Sequence, residues 1–72
     1  MEKIQIITEF IKLDSFLKFI GVTDSGSEGK DLIYSGEVKV NGETEKRRGR
    51  KLYEGDTIQV GGIEFVIEKD DH

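Results

Sequence analysis

The sequence predicts a small α+β domain, because its hydrophobic periodicity changes once along the chain. In the first half, apolar residues recur at the spacing of a helix face, and beyond Gly36 they alternate with the period of two that strands require. Glycine-containing turns separate the segments of the second half. With 72 residues and no internal repeat, linker or low-complexity segment, residues 1–72 are expected to form one domain with a small core.

The first half is predicted to contain a strand and two helices. Ile4 and Ile6 alternate with polar residues, which favours a short strand over residues 3–8. A helix that ends at Gly21 should follow, since one helix face collects Leu13, Phe16, Leu17 and Ile20. The second helix should begin at the capping box Ser25-Gly26-Ser27-Glu28 and run to about Ser35. It is expected to bury Leu32 and Ile33, to end at Gly36, and to approach the first helix closely at Gly29.

The second half is predicted to be a series of strands joined by tight turns. Val38 and Val40 should face the core, while Lys39 faces solvent. Asn41-Gly42 readily adopts the positive φ angles of a type I′ turn, which predicts a hairpin into residues 43–46. The remaining expectations are a buried Leu52, turns at Glu54-Gly55-Asp56 and Gly61-Gly62, strands around Ile58, Val60, Ile63, Phe65 and Ile67, and the charged tail Lys69-Asp70-Asp71-His72.

Composition excludes several kinds of site. The chain has no cysteine, and its one histidine is the terminal His72, where chain ends commonly fray. Zinc sites built from Cys and His, Ser-His-Asp triads and Cys-His dyads therefore lack their residues. No catalytic residue, metal site or cofactor is expected, because the turn carboxylates Glu54 and Asp56 stand without a nucleophile or an orienting group. No apolar run approaches the roughly 18 residues of a membrane span, so we expect a cytoplasmic protein with no membrane partner.

The charge of the chain is unevenly distributed. Although the formal net charge is −4, five of the 11 basic residues lie within residues 46–51, which we call the basic window: Lys46, Arg47, Arg48, Arg50 and Lys51. Lysine and arginine neutralise phosphates, and arginine adds a planar fork that pairs with two phosphate oxygens. The window is expected to be an adaptable exposed loop. Its residues could instead form surface ion pairs with the flanking acids Glu43, Glu45, Glu54 and Asp56, but four acids leave an excess of base.

Several motifs between residues 12 and 60 follow one another in a fixed order: Lys12-Leu13-Asp14-Ser15-Phe16-Leu17, Ser25 with Glu28, Leu32-Ile33, Gly36, Val38-Lys39-Val40-Asn41-Gly42 and Gly55-Asp56. In order and spacing they resemble the RNA-binding domain of the ribosomal protein S4 type. Residues 47–53 further resemble its small stand-alone bacterial members. The resemblance implies two short helices packed on a small, bent antiparallel sheet, the alpha-L RNA-binding motif. It also implies recognition of structured RNA, often ribosomal.

Five residues outside the basic window could contact RNA. Lys30 and Tyr34 are spaced i, i+4 and could share an exposed face, or could be a solvated lysine beside a partly buried tyrosine. Lys39 either contacts RNA or is an ordinary lysine of a strand surface. Ser25 matches the family's helix-opening serine, but Gly26 replaces the arginine that commonly follows, and Gly29 and Asp31 also depart from the family pattern. Tyr53 could stack on a base or pack over the hairpin.

These observations together predict a monomeric, non-catalytic bacterial module. Its expected partner is structured RNA, in particular ribosomal RNA or a ribosomal particle, and its expected process is ribosome assembly or translation. Two alternatives stay open at this point. A protein-interaction adaptor would use the acidic face or the basic window, and DNA shares the phosphates that the window would contact.

Overall fold

The computed structural model describes residues 1–70; the predicted tail residues Asp71 and His72 lie outside the described residues. The helices are α1 (Leu13–Phe19) and α2 (Gly26–Tyr34). The strands are β1 (Glu2–Ile6), β2 (Ile11–Lys12), β3 (Lys39–Val40), β4 (Glu43–Thr44), β5 (Lys51–Leu52), β6 (Thr57–Val60) and β7 (Ile63–Lys69). One sheet has the strand order β1-β7-β6-β3-β4, and β2 and β5 form a second, two-stranded sheet. No helix within residues 1–70 has the length and apolar character needed to cross a bilayer.

Both helices form where the sequence predicts them. α1 buries its apolar face, and the chain leaves it through Gly21, whose φ is 80°. At the start of α2, the amide of Glu28 donates a hydrogen bond of 3.3 Å to the Ser25 hydroxyl, which is one of the two bonds of a capping box. The chain leaves α2 through Gly36, whose φ of 87° is the left-handed conformation that helix ends favour. The predicted boundaries of both helices are therefore confirmed.

Gly29 lies where α2 meets the first turn of α1. A methyl group at this position would lie 3.6 Å from the carbonyl oxygen of Asp14 and 3.7 Å from its Cβ. These are ordinary van der Waals distances, so an alanine would just fill the contact and a longer side chain would not fit. The predicted close approach of the helices at Gly29 is confirmed.

The hairpin at Asn41-Gly42 places the alternating valines in the core. Asn41 and Gly42 have φ angles of 52° and 86°, as a type I′ turn requires, and Val40 pairs with Glu43. The Asn41 side chain ties this turn to the start of β6, since its Oδ1 accepts a hydrogen bond of 2.9 Å from the amide of Thr57. The strand pairing ends at Thr44, short of the predicted residue 46, and one further backbone hydrogen bond joins Glu45 to Val38.

The core lies between the helices and one face of the larger sheet. The rings of Phe16 in α1 and Phe65 in β7 meet edge to face, with centroids 5.6 Å apart. The predicted alternation holds in the strands except at Ile63, which is exposed beside the Gly61-Gly62 turn. The buried apolar residues are Ile6, Leu13, Phe16, Leu17, Ile33, Val38, Val40, Leu52, Ile58, Val60, Phe65 and Ile67.

The architecture is α+β as predicted, with one difference from the antiparallel sheet that the resemblance implied. β1 lies parallel to β7, with Glu2 opposite Phe65 and Ile4 opposite Ile67. Strands joined by tight turns must run antiparallel, but β1 comes from the distant end of the chain and is free of that constraint. The sheet is therefore mixed. The short pair β2–β5 was not predicted, because two residues per strand carry no periodicity.

Candidate nucleic-acid interface

The basic window is preceded by a buried carboxylate. Glu45 lies just beyond the paired residues of the hairpin, where its amide donates a hydrogen bond of 3.0 Å to the carbonyl of the buried Val38. Only 7% of Glu45 is exposed. A buried carboxylate at this place must be paired.

The partners of Glu45 come from the basic window itself. Arg47 binds the carboxylate with two nitrogens, Nε at 3.0 Å from Oε2 and Nη2 at 3.1 Å from Oε1. Arg50 Nη1 lies 2.7 Å from Oε1, and the backbone amides of Lys46 and Arg47 each donate to Oε2 at 3.2 Å. The carboxylate thus organises the backbone as well as two side chains of the window.

These contacts determine the charge state of Glu45. The hydrogen bond from the Arg47 side chain is the largest influence; together with the bond from Arg50 it outweighs burial and lowers the pKa of Glu45 from 4.5 to about 2. The hydrogen bond with Glu45 in turn raises the pKa of Arg47. Glu45 therefore stays ionised at neutral pH, where its negative charge attracts both arginines.

The basic window is also attached to the first turn of α1. The amides of Leu13 and Asp14 donate to the carbonyls of Arg50 and Arg48, at 2.9 and 3.1 Å. The first amides of a helix have no partner inside it, and the window supplies two of the missing acceptors. A further bond of 3.2 Å, from the amide of Arg50 to the carbonyl of Arg47, closes a turn. Backbone hydrogen bonds therefore give the window a defined arrangement that its sequence alone did not indicate.

Ion pairing within the window is partial. Arg47 and Arg50 share the single carboxylate of Glu45, while Lys46, Arg48 and Lys51 are exposed and have no acidic partner within residues 1–70. Asp56 is engaged elsewhere, since its Oδ2 accepts from the amide of Tyr53 at 2.8 Å. The window thus keeps most of its positive charge. Arg47 remains exposed at 76% of its side chain, whereas Arg50 is exposed at only 29%.

The other candidate residues lie on α2, at its start and on β3. Lys30 and Tyr34 share an exposed face of α2, with the ammonium 5.7 Å from the ring centroid, and Tyr34 is 52% exposed. Ser25 caps the same helix with its hydroxyl oxygen. Contact between Gly29 and Asp14 places α2 beside the helix turn that holds the window. Lys39 is exposed on β3, where its neighbours across the sheet are Thr44 and Gln59 rather than residues of the window.

The opposite flank of α2 is acidic. A shallow groove there is lined by the apolar side chain of Leu32 and by the carboxylates of Glu28, Asp31 and Glu37. None of these acids pairs with a lysine or arginine within the described chain. The surface is therefore divided by sign, with cations around the window and unpaired anions beside α2.

Sequence reasoning found the basic residues of this surface but missed Glu45, which it counted only among flanking surface acids. One signal was available. The Asn41-Gly42 turn fixes the hairpin register, and counting outward from it places Glu45 opposite the core residue Val38. Within residues 1–70, no group of three or more His, Cys, Asp or Glu side chains is arranged to hold a metal ion.

Comparison with known proteins identifies the family. The family model of the S4 domain matches residues 4–68, nearly the whole chain. The chain belongs to the S4 domain family. S4 domains of this kind have no catalytic activity, so the protein is not an enzyme, in agreement with the sequence.

Two bacterial proteins resemble this S4 domain in sequence. The probable ribosome maturation protein RlbA of Bacillus subtilis (strain 168) is 48% identical over 60 residues, which cover 83% of this chain and 84% of RlbA. The putative RNA-binding protein YbcJ of Escherichia coli (strain K12) is 36% identical over 52 residues, which cover 72% of this chain and 74% of YbcJ. Both relatives are small proteins that consist of little more than the matched region.

Two solved structures resemble this S4 domain in fold. The solution structure of E. coli YbcJ, described as having an αL motif involved in RNA binding, matches with a TM-score of 0.69 at 29% identity and covers 94% of this chain and 87% of YbcJ. The crystal structure of the 30S ribosomal protein S4e from Thermoplasma acidophilum matches with a TM-score of 0.65 at 22% identity. That match covers 79% of this chain but 30% of S4e, and it shows the shared fold alone.

Proposed function

We propose that this S4 domain binds structured RNA, specifically ribosomal RNA, through the basic window, and acts as a monomeric cytoplasmic factor in ribosome assembly or maturation. The names of its relatives support this proposal, since one is a probable ribosome maturation protein and another a putative RNA-binding protein. The chemistry of the basic surface supports it independently.

The observation that carries the proposal is the anchoring of the window by Glu45. A flexible cationic loop would lose conformational freedom when it met phosphates, and that loss would weaken binding. Here the carboxylate and the first turn of α1 have already ordered the backbone between Lys46 and Arg50. Lys46, Arg48 and Lys51 are left without acidic partners, so their charges are available to phosphates at fixed positions.

Contacts from neighbouring elements would widen this surface. Lys30 supplies a further cation on the exposed face of α2, and Tyr34 beside it offers a ring to a ribose or a base. The Ser25 hydroxyl and Lys39 supply peripheral contacts to phosphates. Recognition of this kind reads the shape of a folded RNA and the spacing of its phosphates, with little reading of base sequence.

A second function, docking of a protein partner, is favoured by one observation. The groove beside α2 combines an apolar side chain with carboxylates, as a protein interface with an apolar core and a polar rim would. Competition separates the two functions. Polyanions and salt should displace an RNA from the window, whereas they should displace an apolar protein interface much less.

The direct test removes the unpaired charges of the window and compares the result with an equal loss of charge elsewhere. The window variant is Lys46→Gln with Arg48→Gln and Lys51→Gln, and the matched control is Lys3→Gln with Lys18→Gln and Lys69→Gln. We expect the window variant to bind bulk ribosomal RNA much more weakly, and to lower the slope of log K against log salt by about two to three units. The control should bind nearly as the original protein does.

Two outcomes would contradict the proposal. One is unchanged affinity in a folded window variant, which would remove the window from the site. The other is an equal loss in both variants, which would mean that overall charge alone governs binding. A DNA hairpin of the same sequence, tested in parallel, separates RNA recognition from general phosphate binding.

A further inference from the structure

Two aromatic residues outside the basic window, of which one is exposed, form a pair beside it. The ring centroids of Phe10 and Tyr53 lie 5.9 Å apart, with the ring planes inclined by 49°. Phe10 is half-buried, but Tyr53 remains 43% exposed although its backbone is fixed by the hydrogen bond from its amide to Asp56. Contact with Phe10 therefore leaves part of Tyr53 open to a ligand.

Lys51 adjoins the aromatic pair and lies opposite a second lysine across a strand ladder. Lys51 in β5 lies directly opposite Lys12 in β2, and its ammonium is 4.8 Å from the centroid of the Phe10 ring. Like charges at directly opposed positions repel each other and disfavour strand pairing. Neither lysine has an acidic partner within the described part of the chain. An anion bound between the two ammonium groups would remove the repulsion.

We propose that Phe10, Tyr53, Lys12 and Lys51 form a subsite for one unpaired nucleotide of the bound RNA. The base stacks on the exposed face of Tyr53, and the phosphate lies between Lys12 and Lys51. This subsite rests on the proposed function, because Lys51 is also the last residue of the basic window. It adds a ligand class to that function: an unpaired nucleotide that flanks an RNA helix, rather than the helix alone.

The alternative ligand at this place is a paired nucleotide within a duplex. In a duplex both faces of each base are covered by its neighbours, so the ring of Tyr53 would find no base to stack on. Unpaired nucleotides expose these faces, and stacking on an aromatic side chain tolerates any base. An exposed tyrosine next to two lysines that lie opposite each other in the ladder therefore favours a single-stranded flank next to the helix that the window holds.

The experiment compares two RNA hairpins with the same stem. One has a blunt end, and the other carries three unpaired nucleotides at its end, placed on the 5′ side in one version and on the 3′ side in a second. We expect the protein to bind one of the flanked versions more tightly than the blunt hairpin. Tyr53→Leu should abolish that gain, which corresponds to a loss of affinity for the flanked hairpin of roughly 5- to 150-fold. The affinity of this variant for the blunt hairpin should be unchanged.

Tyr53→Phe and Lys12→Gln refine the test. Tyr53→Phe keeps the ring and should keep the gain, whereas Lys12→Gln should lower the salt slope for the flanked hairpin by up to about one unit. A 2-aminopurine in the flank should lose fluorescence when the unmodified protein binds, because stacking quenches it, and this measurement needs no variant.

Absence of that quenching, or a Tyr53→Leu variant that weakens both hairpins equally or neither, overturns the subsite. Such a result leaves the proposed function intact if the triple variant of Lys46, Arg48 and Lys51 still binds the blunt hairpin much more weakly than the unmodified protein does. The proposed function would instead be overturned if the triple variant bound both hairpins as tightly as the unmodified protein does.

Discussion

Arg50 donates a hydrogen bond of 2.7 Å to Glu45, and this bond joins the buried end of the hairpin ladder to the loop that follows it. The half-buried position of Arg50 shows that the contact is internal to the fold as well as part of a charged surface. The basic window therefore has two roles. Arg47 and Arg50 hold its shape through one carboxylate, and the remaining cations carry its free charge.

The first prediction concerns acid stability. Because Glu45 has a pKa of about 2 in the folded protein against an ordinary 4.5, it stabilises the fold fully above pH 4.5 and progressively less as the pH falls toward 2. Glu45→Gln should lower the free energy of unfolding at pH 7 by about 1–2 kcal/mol, allowing for solvent screening at the exposed Arg47. Thermal melts of both proteins between pH 7 and pH 2 should show the difference shrinking as the pH falls. The same difference at every pH would contradict the assignment.

The second prediction separates loop order from charge. Glu45→Ala frees two arginines and makes the surface more positive, so charge alone would tighten RNA binding. We expect weaker binding instead, because the window loses the carboxylate that orders its backbone. Glu43→Ala is the matched control, since Glu43 is exposed and has no basic partner within residues 1–70, and it should tighten binding slightly. Affinities measured at one salt concentration decide the matter, and tighter binding by both variants would show that loop order is unimportant.

The third prediction concerns the contact between the helices. Gly29→Ala should preserve or slightly raise stability, because the added methyl group meets Asp14 at 3.6–3.7 Å and alanine favours a helix by up to about 1 kcal/mol over glycine. Gly29→Leu should lower the free energy of unfolding by about 1–3 kcal/mol through overpacking. Urea unfolding midpoints measure both effects. A leucine variant that unfolds at the original midpoint would be incompatible with this packing of α2 on α1.

The features predictable from the sequence are those that a few neighbouring residues determine. The cap at Ser25, the turn at Asn41-Gly42 and the burial of Val38 and Val40 all depend on local periodicity and turn chemistry. The five cations of the window could be identified directly from the sequence. The arrangement of these cations could not be predicted, because it depends on the hydrogen bond from the amide of Asp14 to the carbonyl of Arg48. That bond joins distant parts of the chain. The lysine and aromatic cluster beside β5 was hidden for the same reason, since the β2–β5 pairing brings it together.

The parallel pairing of β1 with β7 has a consequence for the order in which the molecule is made. β7 is the last strand along residues 1–70, and it is the strand with which β1 pairs in the sheet. The ribosome adds about 5–20 residues per second, so β1 waits about 3–11 s while the roughly 57 residues from Ile6 to Ile63 are synthesised. During that interval the helices and the β3–β4 hairpin can assemble, while the N-terminal strand has an unpaired backbone. Translation speed thus sets how long this nascent chain exposes an edge to other chains.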